Sequence, residues 1–562
     1  MNKTYLRNTA ILFASMTITK IVGAVFKIPL ANILGGTGMG YFSTAYGLYS
    51  PVFALTAAGV PTVLMRLTAQ NTAANRHENA MKTRRTALLL FAAVGLAGTL
   101  AVALFSSFFA GHIACSPKST PAVIAISPAV MLCCIASVIR GYHEGLSDVV
   151  PSAKAAVAEA ISRAVFGLAL SYGVVFWGKY RFDCGLDIFG KHYASYEDAY
   201  TAVLPIAAAG AVLAVSLSEL CGLVSLLISD RKNRRQDFAD STPTDGRRAI
   251  CFRLIKEILP VAASALVMNC VGFVDLLTVT RTLKTATEAN SAFFIRELGG
   301  AVASCGGIEG LANFMYGSYS GISMTMFMLI PAFAGMTEKT AIPEITAAWE
   351  RKDIKAAADG CCTLFRAAST IGFPACLGAA VLGRPLLELL YSARTAELSV
   401  SADGFVVLCL GGVFMITGSA MFGAFQAIGK AYIPLILMSC AVAVKAILNP
   451  VLMSVPAINI TGAAISTAAG YMVIAVAGAA VLKKQLSSEI SVVRCVFKPF
   501  ICSVLCAGTA RLVYEFAGNG LHKPFDVIIP VLAGGFVYGI SLILSGEFRV
   551  KRQLIKIGKK NS

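Results

Sequence analysis

Charge is scarce in this 562-residue chain. Asp, Glu, Lys and Arg make up 14% of it, against about 25% in soluble domains. With 56% hydrophobic residues, too little polar surface is left to clothe a globule in water, which excludes an ordinary soluble fold. Histidine (5) and tryptophan (2) are rare. No CxxC pair and no Cys/His cluster with ligand spacing occurs, so no zinc site or redox motif is expected. The sixteen cysteines lie mostly inside apolar runs, as in Cys133-Cys134 and Cys361-Cys362, and read as small packing residues. There is no P-loop, so transport driven directly by ATP on this chain is not expected. The longest polar connections, 178–200 and 282–309, hold no catalytic constellation. No enzyme activity, cofactor or metal is expected.

Acid is scarcer than base, 30 residues against 48, for a net charge of +18. Such an excess can mark nucleic-acid binding, but these cations gather on no polar domain. They follow membrane topology instead. Spans of about 20 mostly apolar residues recur near 8–34, 41–68, 86–110, 121–141, 153–177, 201–229, 254–281, 310–336, 361–383, 403–428, 431–454, 460–482, 495–516 and 525–545. The expected fold is an all-α integral membrane protein with about fourteen transmembrane helices. The basic start, Lys3 and Arg7, resembles a signal peptide, but the apolar run behind it is long, holds two lysines and reads as a retained first helix.

Lys and Arg concentrate in alternate connections. Arg76, Lys82, Arg84 and Arg85 fall in one, and Arg231, Lys232, Arg234, Arg235, Arg247 and Arg248 in another. The tail adds Arg549, Lys551, Arg552, Lys556, Lys559 and Lys560. By the positive-inside rule both termini are cytoplasmic. The polar stretch after Asp230 divides the chain into an N-terminal six-helix bundle (1–229), a basic cytoplasmic linker (230–253), a second six-helix bundle (254–482) and two further helices with a basic tail (483–562). Val60-Pro61 and Ile342-Pro343, and Val150-Pro151 and Ile433-Pro434, recur at nearly the same offset in the two bundles. Pseudosymmetric halves with substrate bound between them are the common construction of secondary transporters.

Several charges stand inside these spans, where each costs about 2.5–3.5 kcal/mol on insertion scales and therefore faces a bundle interior or a wet cavity. Lys20 and Lys27 are seven residues apart on one helix face, with Gly23 and Ala24 between them. Glu159 and Arg163 are spaced as an intrahelical i, i+4 pair. Asp275 and Arg281 lie toward one end of the seventh span but on different faces. Glu219 and Lys445 have no close sequence partner, although Asn449 follows Lys445 by one turn. Lys20, Lys27, Arg163, Arg281 and Lys445 are the candidate cavity cations. Glu159, Glu219 and Asp275 are candidate ion-binding or gating carboxylates. A positive cavity inside a membrane calls for an anionic cargo.

Particular strings resemble a known family. They include Arg140-Gly141-Tyr142-His143-Glu144-Gly145 running on to Val150-Pro151, Glu159, Arg163 and Gly167, and Ala58-Gly59-Val60-Pro61 with Arg66-Leu67. They continue in Phe273-Val274-Asp275 with Thr280-Arg281, in Phe425-Gln426-Ala427-Ile428-Gly429-Lys430 with Lys445 and Asn449, and in Ile458-Asn459-Ile460-Thr461-Gly462. This pattern resembles the stage V sporulation protein B and polysaccharide biosynthesis transporter family. That family lies in the multidrug/oligosaccharidyl-lipid/polysaccharide (MOP) exporter superfamily, beside the MurJ-type lipid II flippases. The resemblance implies two pseudosymmetric six-helix bundles plus two C-terminal helices. It also implies a flippase for an undecaprenyl-pyrophosphate-linked saccharide in the bacterial cytoplasmic membrane. Lys20 and Lys27 fall where relatives carry first-helix arginines, and a lysine is a point charge rather than a bidentate fork.

The expected partners are a lipid-linked anionic oligosaccharide, membrane lipids and a coupling ion, H+ or Na+, with the chain a monomer that binds no nucleic acid. The alternative on the same fold is a multidrug/cation antiporter of the MATE type, for which carboxylates would dominate the cavity. A non-transporting scaffold or a glycan-assembly enzyme is the reading from another class.

Overall fold

In the computed structural model, residues 3–233, 245–486, 491–517 and 523–546 are described. The basic tail and residues 234–244 of the expected linker, with Arg234 and Arg235, lie outside them. Among the described residues the chain is helical, with one isolated bridge between Ile188 and Lys191. The principal helices are α1 (Lys3–Phe53), α2 (Val60–Ala73), α3 (His77–Leu104), α4 (Thr120–Gly145), α5 (Val150–Asp183), α6 (Tyr196–Asn233), α7 (Arg247–Ala289) and α8 (Ile308–Ser318). They continue as α9 (Met324–Ala334), α10 (Met336–Glu350), α11 (Ile354–Val381), α12 (Thr395–Ala427), α13 (Tyr432–Met453), α14 (Thr461–Gln485), α15 (Val492–Ala517) and α16 (Phe525–Leu544).

Twelve stretches among the described residues are long and apolar enough to cross a bilayer. The first, Ala14–Ala73, holds two of the expected spans. Its 60 residues would reach about 90 Å as one straight helix, three times the roughly 30 Å hydrocarbon core. The break falls at Gly35, whose φ of 61° and ψ of −173° are non-helical and whose missing Cβ permits them. The expected eighth span is divided by a π-helical turn, Tyr319–Ser323, into α8 and α9, each too short to count alone. Prolines open α2, α4 and α5 at their first turn, where the missing N–H breaks no helical bond.

The chain forms two compact units, Met1–Gly321 and Ile322–Ser562. This division differs from the expected one, in which the N-terminal bundle closes at 229. The reason is packing: α7 lies against α1, α2 and α3, and α8 against α1 and α7, so both helices belong to the N-terminal unit.

In that unit α5 packs along α6, and α6 also touches α4 and α1. Arg–carboxylate bonds tie helix ends together at one pole. Arg84 binds Asp230 at 2.6 Å and lies over the Tyr142 ring. Arg66 pairs with Glu257, which also accepts from Arg253 at 3.0 Å. Arg76 reaches Asp245 at 2.8 Å, and Asn79 adds a bond to the same carboxylate. Arg76 and Asn79 hold the Asp245 carboxyl below its ordinary range by hydrogen-bonding its charged form.

In the C-terminal unit Phe365, Phe373, Met421 and Phe425 pack in one core. The two C-terminal helices are part of this unit: α15 lies on α11 and on α16, and Tyr538 on α16 donates to the Thr370 carbonyl at 2.7 Å. Cys362 on α11 and Cys495 on α15 are joined as a disulfide. This corrects the expectation that the cysteines only pack. Contact of α11 with α15 brings together two thiols far apart in sequence, which spacing rules cannot detect. Denatured without reductant, the purified protein is expected to take up fourteen maleimides and, after reduction, sixteen. A mass of sixteen adducts in both samples would contradict the cross-link.

Candidate functional site

The charged centre of the N-terminal unit is built on α5, whose Glu159 and Arg163 lie one turn apart. The expected intrahelical pair between them is replaced by two pairs between helices. Glu159 accepts from Arg140 on α4. Arg163 donates to Glu219 on α6 at 3.2 Å, to Ser218 Oγ at 3.2 Å and to Tyr46 Oη on α1 at 3.4 Å. The cause is electrostatic. Glu159 and Glu219 are both 8% exposed, and a buried charge without a partner is costly. Pairing Glu159 with Arg163 would leave Arg140 and Glu219 unmatched, whereas the observed exchange satisfies all four.

Local sequence explains the approach of these groups. Gly222 on α6 faces Glu159, and a Cβ there would occupy the space of the carboxyl group. Phe42, Tyr46, Tyr49 and Phe53 form a ladder along α1, with successive ring centroids 5.5, 5.8 and 5.9 Å apart. Tyr49 Oη lies 2.9 Å from Cys133 Sγ on α4, so the ladder is anchored at two polar points.

Lys27 completes the cluster. It is half-buried on α1, within electrostatic range of Arg163, and forms no ion pair or hydrogen bond with another described residue. Three cations (Lys27, Arg140 and Arg163) therefore meet two carboxylates, and the surplus charge is the lysine. An anion can enter such a site without first displacing a carboxylate from Lys27.

The other candidates are placed as follows. Lys20 is exposed on α1. Asp275 is buried on α7 and Arg281 on the same helix is exposed, as expected for residues on different faces. Lys445 is 2% exposed in the C-terminal unit, where the adjacent turn carries Asn449, an acceptor for Ser466. Arg140, Tyr46 and Ser218 are neighbours in the cluster that sequence reasoning misses. Arg140 was legible in one respect: the short connection between α4 and α5 folds the two helices back on each other, which returns residue 140 toward the first turns of α5.

Residues 5–336 match the family model described as polysaccharide biosynthesis protein. The chain belongs to that family. It is a membrane transporter of the MOP superfamily. Stage V sporulation protein B of Bacillus subtilis (strain 168) is 23% identical over 549 residues, covering 96% of this chain and 95% of its own. A lipid II flippase MurJ structure in an inward closed conformation superposes with a TM-score of 0.65 at 13% identity, over 97% of this chain and 100% of that one. An inward-facing multidrug resistance MATE family transporter gives 0.59 at 16% identity, over 84% and 95%. At such identities the structural likeness establishes the fold alone. In this member of the polysaccharide biosynthesis protein family, the cationic surplus at Lys27 is the property that points to a class of cargo.

Proposed function

We propose that this transporter moves an undecaprenyl-pyrophosphate-linked saccharide, a lipid II-like precursor, from the inner to the outer leaflet of the bacterial cytoplasmic membrane. Alternating access carries the movement, with both termini cytoplasmic and the chain acting as a monomer. The observation that carries the reading is Lys27, a half-buried cation beside Arg163 with no partner among the described residues. Lys20, two turns away on the same helix face, meets the incoming pyrophosphate first; Lys27 and Arg163 then hold it. Arg281 and Lys445 are further candidate contacts. The lipid tail stays in the bilayer. A negative interior potential favours outward movement of the anion by about 2.3 kcal/mol per charge per 100 mV. Glu159, Glu219 and Asp275 are the groups available to a coupling ion, H+ or Na+.

A second reading, a cation antiporter of the MATE type, draws on the three buried carboxylates. The first reading is favoured because Glu159 and Glu219 are each already neutralised by an arginine. The test uses vesicles reconstituted with the full chain and a fluorescent pyrophosphoryl-lipid saccharide in the inner leaflet. Protein-dependent exposure of the headgroup to an impermeant reagent outside is expected, without efflux of lipophilic cations. Efflux of such cations driven by an H+ or Na+ gradient, with no headgroup exposure, would select the antiporter.

A further inference from the structure

A cleft between α5 and α6 of the N-terminal unit has the composition of a lipid phosphate site. Its volume is about 340 Å³, and it is lined by Lys154 of α5 and by Cys221, Val224, Ser225, Ile228 and Ser229 of α6. That volume lies at the lower end of small-molecule sites.

The α6 residues sort into two stripes by helical spacing. Cys221, Ser225 and Ser229 follow one another at i, i+4, and Val224 and Ile228 form a parallel apolar stripe beside them. Val224 and Ile228 are 45% and 56% exposed. Across from them Lys154 is exposed and makes no ion pair or hydrogen bond with another described residue. Ser229 Oγ donates to the Ser225 carbonyl at 3.0 Å, leaving its oxygen lone pairs open. A cation and two hydroxyls thus border an exposed aliphatic track.

Depth supports the same ligand. The 34 residues of α5 span about 51 Å, so about 10 Å at each end projects beyond a hydrocarbon core of roughly 30 Å. Lys154 stands on the fifth residue of α5, about 6 Å from its start, and Ser229 is as close to the end of α6. Both therefore lie at headgroup level, with the aliphatic stripe running toward the core.

We infer that the Lys154 cleft binds the phosphate of an anionic bilayer phospholipid, with one acyl chain laid along Val224 and Ile228. None of the residues lining this cleft is a proposed cargo contact, and the assignment does not depend on the identity of the cargo.

The test is a titration of the full-length protein, stripped of lipid in neutral detergent, with phosphatidylglycerol or phosphatidylcholine, counting bound lipid by native mass spectrometry. The wild type is expected to hold one phosphatidylglycerol more tightly than any phosphatidylcholine. Lys154→Gln should weaken that lipid about five-fold, the scale of one lysine near an anionic headgroup, and Lys154→Arg should retain it. Ser225→Leu, which fills the cleft and keeps the cation, should match Lys154→Gln and provides the test if the lysine variant does not fold. Equal affinity for the two lipids, or unchanged phosphatidylglycerol binding in Lys154→Gln or Ser225→Leu, would overturn the assignment. Stronger retention of undecaprenyl pyrophosphate than of phosphatidylglycerol at this cleft would overturn it as well.

Discussion

Lys27→Gln is expected to slow headgroup transfer at least ten-fold while leaving the melting temperature in detergent unchanged. The two halves of this expectation have separate causes. Close desolvated charge pairs couple by about 1.5–7 kcal/mol, so removing one cation from a pyrophosphate contact should cost at least one factor of ten, about 1.4 kcal/mol. Stability should not suffer, because Lys27 forms no ion pair or hydrogen bond with another described residue and no carboxylate loses a partner. Arg163→Gln behaves differently. It leaves Glu219 buried without its 3.2 Å partner, a change that typically costs about 3–5 kcal/mol. Arg163→Gln with Glu219→Gln should therefore regain stability but not transfer, which distinguishes a cargo contact from a merely structural ion pair. If Lys27→Gln flips the labelled saccharide at the wild-type rate, the proposed cargo contact is wrong, whatever the arginine variants do.

Much of the fold was legible because a bilayer leaves few choices. Backbone groups must bond within each span, so length and hydropathy located the helices, and a helix pair was readable on either side of Gly35. Charges inside spans were legible as candidates for the same reason: they are too costly to place facing lipid. Their partners were less legible. The i, i+4 rule described Glu159 and Arg163 as neighbours on one helix but could not see Arg140 and Glu219 arriving from two other helices. The expected boundary near 230 rested on composition, which reports polarity of the chain. The packing of α7 and α8 against α1, which sets the unit boundary at Gly321, depends on shape that composition does not carry. The Cys362–Cys495 link was hidden likewise, since it follows from which helices touch.

Shape of this kind yields the second large effect: Gly317→Ala should destabilise the N-terminal unit by about 3 kcal/mol, at the upper end of overpacking costs. Gly317 on α8 meets Gly36 and Gly40 on α1, and a Cβ at 317 would fall on the Gly36 carbonyl oxygen and the Gly40 amide nitrogen. Those are backbone atoms and cannot rotate aside, as a side-chain end could. The two helices would have to part. Parting would stretch the bond from Asn313 Nδ2 to the Thr37 carbonyl, now 2.9 Å, and the 2.8 Å bond between Ser320 and Ser43. Small residues that admit close backbone approach are the usual basis of helix association in membranes, where no hydrophobic force drives one helix onto another. Gly272→Ala on α7 provides the opposite sign. A Cβ there meets nothing within 4 Å, and replacing a helical glycine with alanine gains up to about 1 kcal/mol. Thermal unfolding of the two variants in one detergent should move the midpoint in opposite directions. An unshifted midpoint for Gly317→Ala would mean that α1 and α8 do not make this crossing in solution.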